Sequence, residues 1–219
     1  LSVSLFVTVV GLVINLFLSV TGAYALSKKN LPGRKFMLGM ILFTMLFSGG
    51  LVPTYMIIKQ YGMVNSIWSM IIPTAISTYY LIIMKNYFLN LPQGLLEAAY
   101  LDGANEWQVL WKIVIPISKP FLATFALFYC VERWNEWYNA MLYISKQTLR
   151  PLQIYLREIL INMNSQLSAQ AQQMIAGTMK ASSTAIQMAA IIITTVPIML
   201  VYPYLQKYFV NGVMVGGLK

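Results

Sequence analysis

Long apolar segments alternate with short polar ones along most of this chain. An α-helix rises about 1.5 Å per residue, so about 20 apolar residues are needed to cross the ~30 Å hydrocarbon layer of a membrane. The segments that meet this length, or nearly meet it, lie at residues 3–26, 36–58, 66–84, 121–144 and 186–206. The pattern predicts an all-α fold: one transmembrane helix bundle over residues 1–219 with these five spans.

Three of the predicted spans contain a proline. Pro53, Pro73 and Pro197 lie in the second, third and fifth spans. Proline has no backbone N–H and leaves a carbonyl without its helical partner, and lipid offers no replacement donor. We therefore expect kinked helices whose free carbonyls are satisfied by neighbouring helices.

The composition is that of a protein immersed in lipid. Hydrophobic residues make up 58% of the 219 residues and charged residues 10%, with a mean hydropathy of +0.67; soluble domains carry about 25% charged residues. The net charge is +9, but the basic residues lie in loops between apolar segments. They indicate topology, and we predict no nucleic-acid partner.

Several kinds of chemistry are excluded by residue types that the sequence lacks. There is no histidine, and Cys130 is the single cysteine, so a His or Cys metal cage, a Cys-His nucleophile and an intrachain disulfide cannot be built. No GxxxxGK[ST], HExxH or GxSxG motif occurs. We predict no metal, no catalytic residue and no cofactor in this chain.

The basic residues also predict the sidedness of the loops. The densest cluster is Lys28, Lys29, Arg34 and Lys35, and an excess of Lys and Arg marks the cytoplasmic side. Alternation then puts residues 59–65 outside, a polar loop at residues 85–120 inside, and a second long loop at residues 145–185 outside. The prediction is a multi-pass protein.

The inner loop at residues 85–120 is too polar to cross a membrane, and it carries helix start and stop signals. Pro92 suits the first turn of one helix, and Gly103 suits the left-handed conformation that ends it. Asn105 and Gln108 have the spacing of a capping box that opens a second helix. Two short helices joined by a turn are predicted here.

The stretch EAAYLDGANEWQVLWKIVIPI at residues 97–117 resembles the EAA loop of ABC-importer permeases. The family pattern is EAA, three residues, glycine, nine residues, then Ile-x-Leu-Pro, and Ile115 stands where the pattern has leucine. The matching positions, together with Asp102 beside the glycine, are the predicted ATPase-coupling residues: Glu97, Ala98, Ala99, Asp102, Gly103, Ile113 and Pro116.

The resemblance extends over the whole chain and is to the carbohydrate permeases similar to the maltose-permease subunit with the scoop loop. It implies a type I ABC-importer permease (MetI-like) in a bacterial cytoplasmic membrane. It also implies four kinds of contact: a homologous second permease, two cytosolic ATPase subunits that hold ATP and Mg, an extracellular solute-binding protein, and lipid. Family members have six spans, so we expect one further N-terminal span. Residues 164–184 match the position of the scoop loop.

The fourth predicted span carries many polar and aromatic residues for a helix in lipid. Aromatic faces and amide groups suit sugar rings, and ionised groups at membrane depth must pair or face a wet cavity. The candidate cargo path is therefore Glu132, Arg133, Trp134, Asn135, Glu136, Trp137, Tyr138 and Asn139. Helical spacing puts Trp134, Tyr138 and Met141 on one face.

Two alternatives to these assignments stay open. The aromatic residues at 134–139 also suit an interfacial belt or a subunit contact, and Tyr79 and Tyr80 are a second, weaker candidate pair for the cargo path. For the chain as a whole, the alternatives to sugar import are a secondary transporter driven by an ion gradient, with Glu132 and Glu136 as relays, and an ABC permease for another solute. Arg133 makes an acidic sugar conceivable.

Overall fold

The structure is a computed structural model that describes residues 1–159 and the positions 161, 188, 191, 192, 195, 196 and 199. Within these residues it contains helices and no strand. The helices are α1 (Ser2–Ser27), α2 (Arg34–Leu46), α3 (Leu51–Gln60), α4 (Trp68–Ile71), α5 (Thr78–Leu89), α6 (Gln93–Leu101), α7 (Glu106–Val109), a π-helical turn (Leu110–Val114), α8 (Ile115–Ile117), α9 (Lys119–Trp134) and α10 (Tyr138–Tyr143). A short 3-10 turn at Gln147–Leu149 follows, and a further helix occupies residues 152–159.

The first predicted span, residues 3–26, lies within α1. By length and composition α1 can cross a membrane alone, and two further pairs of helices in the described part of the chain qualify only as bent units. These pairs are α2 with α3, bent by 117°, and Glu106–Ile117 with Lys119–Tyr143, bent by 86°. The count of five spans stays a prediction, since the fifth, at residues 186–206, lies mostly outside the described residues.

The second predicted span, residues 36–58, is not one continuous helix. It breaks between Leu46 and Leu51, where Gly50 has a φ of 85°. Pro53 follows the break and lies in the first turn of α3, where its missing N–H has no helical partner to lose. The kink expected at Pro53 therefore lies before it, at Phe47–Gly50.

The third predicted span, residues 66–84, is divided as well. A helical turn, α4, ends at Ile71, and α5 begins at Thr78. Pro73 lies in the segment between them, which confirms that this proline interrupts the helix. Ser77 caps α5 by accepting a hydrogen bond from the backbone N–H of Tyr80.

The fourth predicted span, residues 121–144, begins as expected within α9 but breaks at Asn135–Trp137 before α10. The expectation that Trp134, Tyr138 and Met141 share one helical face was therefore wrong, because that spacing rule requires an unbroken helix. Trp134 is buried in the structure, whereas Tyr138 and Met141 are exposed.

α1 is the central helix of the described bundle, and it packs mainly against α5 and α9. One apolar cluster joins its C-terminal half to α5, α6, α7 and α9, through residues such as Tyr24, Phe88 and Phe125. A second, smaller cluster joins its N-terminal half to α4, α10 and the helix at residues 152–159, through Val7, Ile71 and others.

The predicted inner and outer loops gather at opposite ends of α1. At its C-terminal end, Lys28 contacts Tyr100 and Glu106 of the predicted inner loop. At the other end, Asn65 accepts hydrogen bonds from the backbone N–H groups of Ser145 and Lys146. The loops that alternation assigns to one side of the membrane thus meet in space.

Candidate functional site

The predicted inner loop forms the expected pair of helices, α6 and α7, joined by a tight turn. Gly103 adopts a φ of 81°, a left-handed conformation that glycine enters without the steric cost of a Cβ. Its N–H donates to the carbonyl of Tyr100 at 3.0 Å, and the N–H of Ala104 donates to that of Ala99 at 2.9 Å. These two bonds form a Schellman motif that ends α6.

The second helix of the pair opens with the predicted capping box. Oδ1 of Asn105 accepts from the N–H of Gln108 at 2.9 Å, and Oε1 of Gln108 accepts from the N–H of Asn105 at 2.9 Å. Pro92 is the residue just before α6, one position earlier than expected. Local residues thus fix the end of α6, the turn after it and the beginning of α7.

The motif residues divide between two faces of this helical pair. Glu97, Ala98, Asp102, Gly103 and Pro116 are exposed, and Ile113 is half-buried. Within the described part of the chain, neither carboxylate of the motif has a side-chain hydrogen bond or ion pair. These residues form a surface available to another protein.

Ala99 faces the other way. Its exposure is 9%, and it belongs to the apolar cluster that includes Tyr24 and Val109. Its small side chain permits close packing of α6 against the bundle, and the exposed alanine of the motif is Ala98.

A cluster of four polar and aromatic residues joins this loop to the end of α1. Oε2 of Glu106 accepts hydrogen bonds from the hydroxyls of Tyr24, at 2.6 Å, and Tyr100, at 2.8 Å. Nζ of Lys28 lies 3.1 Å from the same oxygen and also donates to the Tyr100 hydroxyl. We call these residues, Tyr24, Lys28, Tyr100 and Glu106, the Glu106 cluster.

The Glu106 carboxylate is held in its ionised form. Partial burial acts to raise its pKa, but hydrogen bonds from Tyr24, Tyr100 and Lys28, together with the lysine charge, outweigh burial and lower the pKa below its ordinary value. This cluster was not predicted from the sequence, because its members are up to 82 residues apart. The sequence feature that could have pointed to the cluster was the acidic residue Glu106 at the first position of α7.

The loop returns to the bundle through a π-helical turn. In this turn, residues 110–114, the N–H of Ile115 donates to the carbonyl of Leu110. Pro116 follows at once, inside α8, and the chain changes direction at Ser118 before α9 begins at Lys119. π turns and prolines are both known causes of helix bending, and here both lie just before the fourth predicted span.

In the candidate cargo path, Arg133 is buried, with 4% exposure. In the part of the chain that the structure describes, its guanidinium makes six hydrogen bonds, all to oxygens of α1 and of the segment around α4. The acceptors are Oδ1 of Asn15, Oγ1 and the carbonyl of Thr74, and the carbonyls of Met70 and Ile71. No carboxylate lies within 4.0 Å of it in the described part of the chain.

Arg133 therefore satisfies carbonyls at the end of α4, where the chain leaves helical geometry before Pro73. We expected neighbouring helices to satisfy the free carbonyls beside a helix-breaking proline, and here the side chain of Arg133 does so. Asn15 completes this arrangement, since its Nδ2 donates to the Thr74 carbonyl at 3.2 Å. The sequence signal for Asn15 was an amide side chain inside an apolar span.

α1 accommodates Arg133 through a stripe of small and polar residues. The buried positions Ser4, Thr8, Gly11, Asn15 and Ser19 recur every three or four residues and therefore lie along one side of α1. A Cβ at Gly11 would lie 2.9 Å from Cδ of Arg133 and 3.0 Å from its Nε. Small and polar residues are typical of helix contacts in membranes, since they allow close approach and hydrogen bonding.

The carboxylates flanking Arg133 have other partners. The Tyr80 hydroxyl donates to Oε1 of the exposed Glu132 at 2.6 Å. Glu136 accepts from the backbone and side-chain nitrogens of Asn139, both at 3.0 Å. Tyr80, from the second candidate pair, thus contacts the candidate cargo path at residues 132–139 by its hydrogen bond to Glu132.

The remaining aromatic candidates differ in exposure. Trp134 is buried, and the guanidinium of Arg157 lies 4.2 Å from the ring centroid of Trp137. Tyr138 is 46% exposed and meets Trp137 edge-on at 5.7 Å. Asn135 is exposed and bonds to the Val131 carbonyl. Of the candidate aromatic side chains at 134–138, Tyr138 is the most available to a solute.

Comparison with known protein families identifies the kind of protein to which this arrangement belongs. Residues 2–215 match the family described as binding-protein-dependent transport system inner membrane component. Two similar proteins come from Bacillus subtilis (strain 168), each 43% identical over 219 residues. One is the polygalacturonan/rhamnogalacturonan transport system permease protein YtcP, and the other is protein LplC. All of this chain is covered, with 76% and 73% of theirs.

A solved structure shares the fold. It is a crystal structure of a bacterial ABC transporter involved in the import of the acidic polysaccharide alginate, and one of its chains matches with a TM-score of 0.84 and 35% identity. The match covers 95% of the present chain and 73% of that chain. The predicted all-α, type I permease fold is confirmed.

Proposed function

This chain belongs to the family of binding-protein-dependent transport system inner membrane components, as an ABC-importer permease of the carbohydrate type, and we propose that it imports oligosaccharides by using ATP hydrolysed in partner subunits. In this proposal, the cargo arrives from an extracellular solute-binding protein. A second, homologous permease completes the pathway through the cytoplasmic membrane, and two ATPase subunits hold ATP and Mg.

The observation that carries the proposal is the geometry of the α6–α7 pair. Its turn is fixed by the Schellman motif at Gly103 and the capping box at Asn105. Outside the turn, Glu97, Ala98 and Asp102 are exposed, and Leu101 has an exposure of 89%. A rigid helical pair with an exposed, partly apolar end suits docking into a cleft of another protein.

Docking would convert movement of the ATPases into movement of the bundle. The apolar cluster beneath the loop includes Leu96, Ala99 and Val109, which pack with residues of α1, α5 and α9. Because packed interiors transmit displacement rather than absorb it, a push on α6 and α7 reaches the membrane helices. This chain supplies the mechanical part, and the ATPase subunits supply the chemistry.

Acidic oligosaccharides are the proposed cargo class. One relative is named for polygalacturonan and rhamnogalacturonan transport, and the structural relative is described as importing alginate, an acidic polysaccharide. The family membership gives no support to the ion-gradient alternative.

The test is uptake by the complete transporter in proteoliposomes. Oligogalacturonides should accumulate only with ATP, the ATPase subunits and the binding protein, whereas neutral oligosaccharides of equal length should accumulate less. Glu97→Arg and Gly103→Val should each abolish stimulation of ATP hydrolysis by the loaded binding protein. Gly94→Ala is the matched control, since Gly94 lies in α6 with open space around it.

Three results would count against the proposal, each against a different part. Uptake that persists without the ATPase subunits would remove the ATP-driven mechanism. Normal stimulation of ATP hydrolysis in both Glu97→Arg and Gly103→Val would remove the coupling role of the α6–α7 pair. Equal uptake of neutral and acidic oligosaccharides would reject the cargo class alone.

A further inference from the structure

The Glu106 cluster connects three segments of the chain at one oxygen atom. Tyr24 and Lys28 belong to the C-terminal end of α1, Tyr100 to α6 and Glu106 to the start of α7. Among the described residues, three donors lie within 3.1 Å of Oε2 of Glu106. Nζ of Lys28 also lies 4.5 Å and 5.0 Å from the ring centroids of Tyr24 and Tyr100.

The cluster spans the turn of the α6–α7 pair. Tyr100 precedes Gly103 by three residues, and Glu106 follows it by three. The carboxylate therefore ties both helices of the pair to each other and to α1. A charge-assisted hydrogen bond is short and directional, so this tie resists separation of the pair from α1 as well as opening of the turn.

Beside the Glu106 cluster, apolar packing between the α6–α7 pair and α1 is incomplete. The main packing partners of α1 are α5 and α9. A cavity of about 960 Å³ lies beside the cluster, and Tyr24, Lys28, Tyr100 and Glu106 all contribute to its lining, with Phe88 among the apolar walls. Polar contacts thus bridge a region in which apolar contact is incomplete.

We propose that Glu106 is a positioning residue of the importer, and that the Glu106 cluster transmits displacement of the α6–α7 pair directly to α1. α1 is the central helix of the described bundle, so moving its end shifts the helices packed on it. This inference rests on the proposed function, because it assumes that a partner ATPase moves the α6–α7 pair.

The test measures coupling in the complete transporter reconstituted in proteoliposomes. The readout is the number of oligogalacturonide molecules imported per ATP hydrolysed, with the rate of ATP hydrolysis recorded separately. Glu106→Gln keeps the size of the side chain and removes its charge. We expect this ratio to fall at least about fivefold, within the range of coupling free energies between protein sites, while ATP hydrolysis continues.

The matched control is Glu158→Gln. Glu158 also forms a partly exposed ion pair, at 2.9 Å to Arg150, and its side-chain exposure of 48% is close to the 59% of Glu106. It lies in the helix at residues 152–159, at the other end of the bundle. If the import ratio depended only on an intact surface ion pair, both variants would lower it equally. The proposed role predicts that Glu106→Gln alone lowers the ratio.

Two gentler variants test the cluster without removing the charge. Tyr24→Phe and Tyr100→Phe each delete one donor to the same carboxylate oxygen. If both act through Glu106, their effects on the import ratio are non-additive, and each is small in the Glu106→Gln background. If the transporter carrying Glu106→Gln does not assemble, the non-additivity of Tyr24→Phe and Tyr100→Phe still tests the positioning role.

The outcomes separate this inference from the function on which it rests. If the unmodified transporter imports no oligosaccharide with ATP, the proposed function fails. If it imports normally and Glu106→Gln keeps the same import ratio, the positioning role fails and the function stands. Additive, independent effects of the two tyrosine variants would also overturn the positioning role.

Discussion

Nε and Nη2 of Arg133 both donate to Oδ1 of Asn15, at 3.1 Å and 2.8 Å, across a sequence separation of 118 residues. The same guanidinium binds the carbonyls of Met70, Ile71 and Thr74. One cation thus joins α1 and α9 at the point where the chain breaks between α4 and α5.

Removal of the Asn15 amide should destabilise the bundle. In Asn15→Ala, the buried guanidinium loses an acceptor and the Thr74 carbonyl loses a donor, and a buried group without its partner costs about 1–3 kcal/mol. We expect the thermal unfolding midpoint in detergent to fall by roughly 5–10 °C. Asn135→Ala, at an exposed asparagine that bonds to the Val131 carbonyl and accepts only a long, exposed hydrogen bond of 3.5 Å from Gln153 among the described residues, should change the midpoint little; equal midpoints for both variants would contradict this view of Asn15.

A methyl group at Gly11 should also be destabilising. Its Cβ would lie 2.9 Å from Cδ of Arg133, and the arginine cannot move aside without losing hydrogen bonds. Overpacking of this kind costs about 1–3 kcal/mol. Gly39→Ala is the control, because Gly39 lies within α2 and a methyl group there would have no neighbour within 4 Å; removing this helical glycine should stabilise by about 0.5–1 kcal/mol. If Gly11→Ala and Gly39→Ala shifted the thermal unfolding midpoint in the same direction, the prediction would be refuted.

The capping box should stabilise the start of α7. Asn105→Ala removes an acceptor for the Gln108 N–H, and loss of such a cap costs about 1 kcal/mol. Hydrogen–deuterium exchange should become faster at residues 106–109 in this variant. Asn30→Ala, at an exposed asparagine in the loop after α1, should leave exchange at α7 unchanged; unchanged exchange in Asn105→Ala would show that the box is dispensable.

The pH dependence of the Glu106 cluster follows from the lowered pKa of Glu106. A carboxyl whose pKa is lower in the folded state stabilises that state above its ordinary pKa, here 4.5, and this stabilisation is lost as the pH falls through the lowered value. The difference in thermal stability between the unmodified chain and Glu106→Gln should therefore be constant from about pH 7 to about pH 5 and shrink only in stronger acid. A difference that changes between those two pH values would contradict the assignment.

Tyr138 should contribute to cargo recognition. It is the most exposed aromatic residue at positions 134–138, whereas Arg157 covers one face of Trp137. In Tyr138→Ala, loss of an aromatic contact worth about 1 kcal/mol should raise the oligosaccharide concentration for half-maximal uptake roughly fivefold. The control is Tyr61→Ala, at a more exposed tyrosine, 75%, in the predicted outer loop; equal effects of the two variants would remove Tyr138 from the path.

The features of the α6–α7 pair that the sequence predicted are local ones. Gly103 ends a helix because of its own backbone freedom, and Asn105 pairs with a residue three positions away. Such interactions need no information about the rest of the fold. Ala99 shows the limit of this reasoning, since its membership of the motif did not reveal that it faces the interior.

The amino-acid sequence alone determined that this chain is a helical membrane protein with an EAA-type loop, because hydropathy and short-range helix signals act along the chain itself. The burial of Arg133 and the meeting of Glu106 with Tyr24 and Lys28 were decided by the tertiary structure. They depend on hydrogen bonds between residues 59 to 118 positions apart, and local sequence patterns carry no record of which distant oxygen a buried guanidinium or a tyrosine hydroxyl will reach.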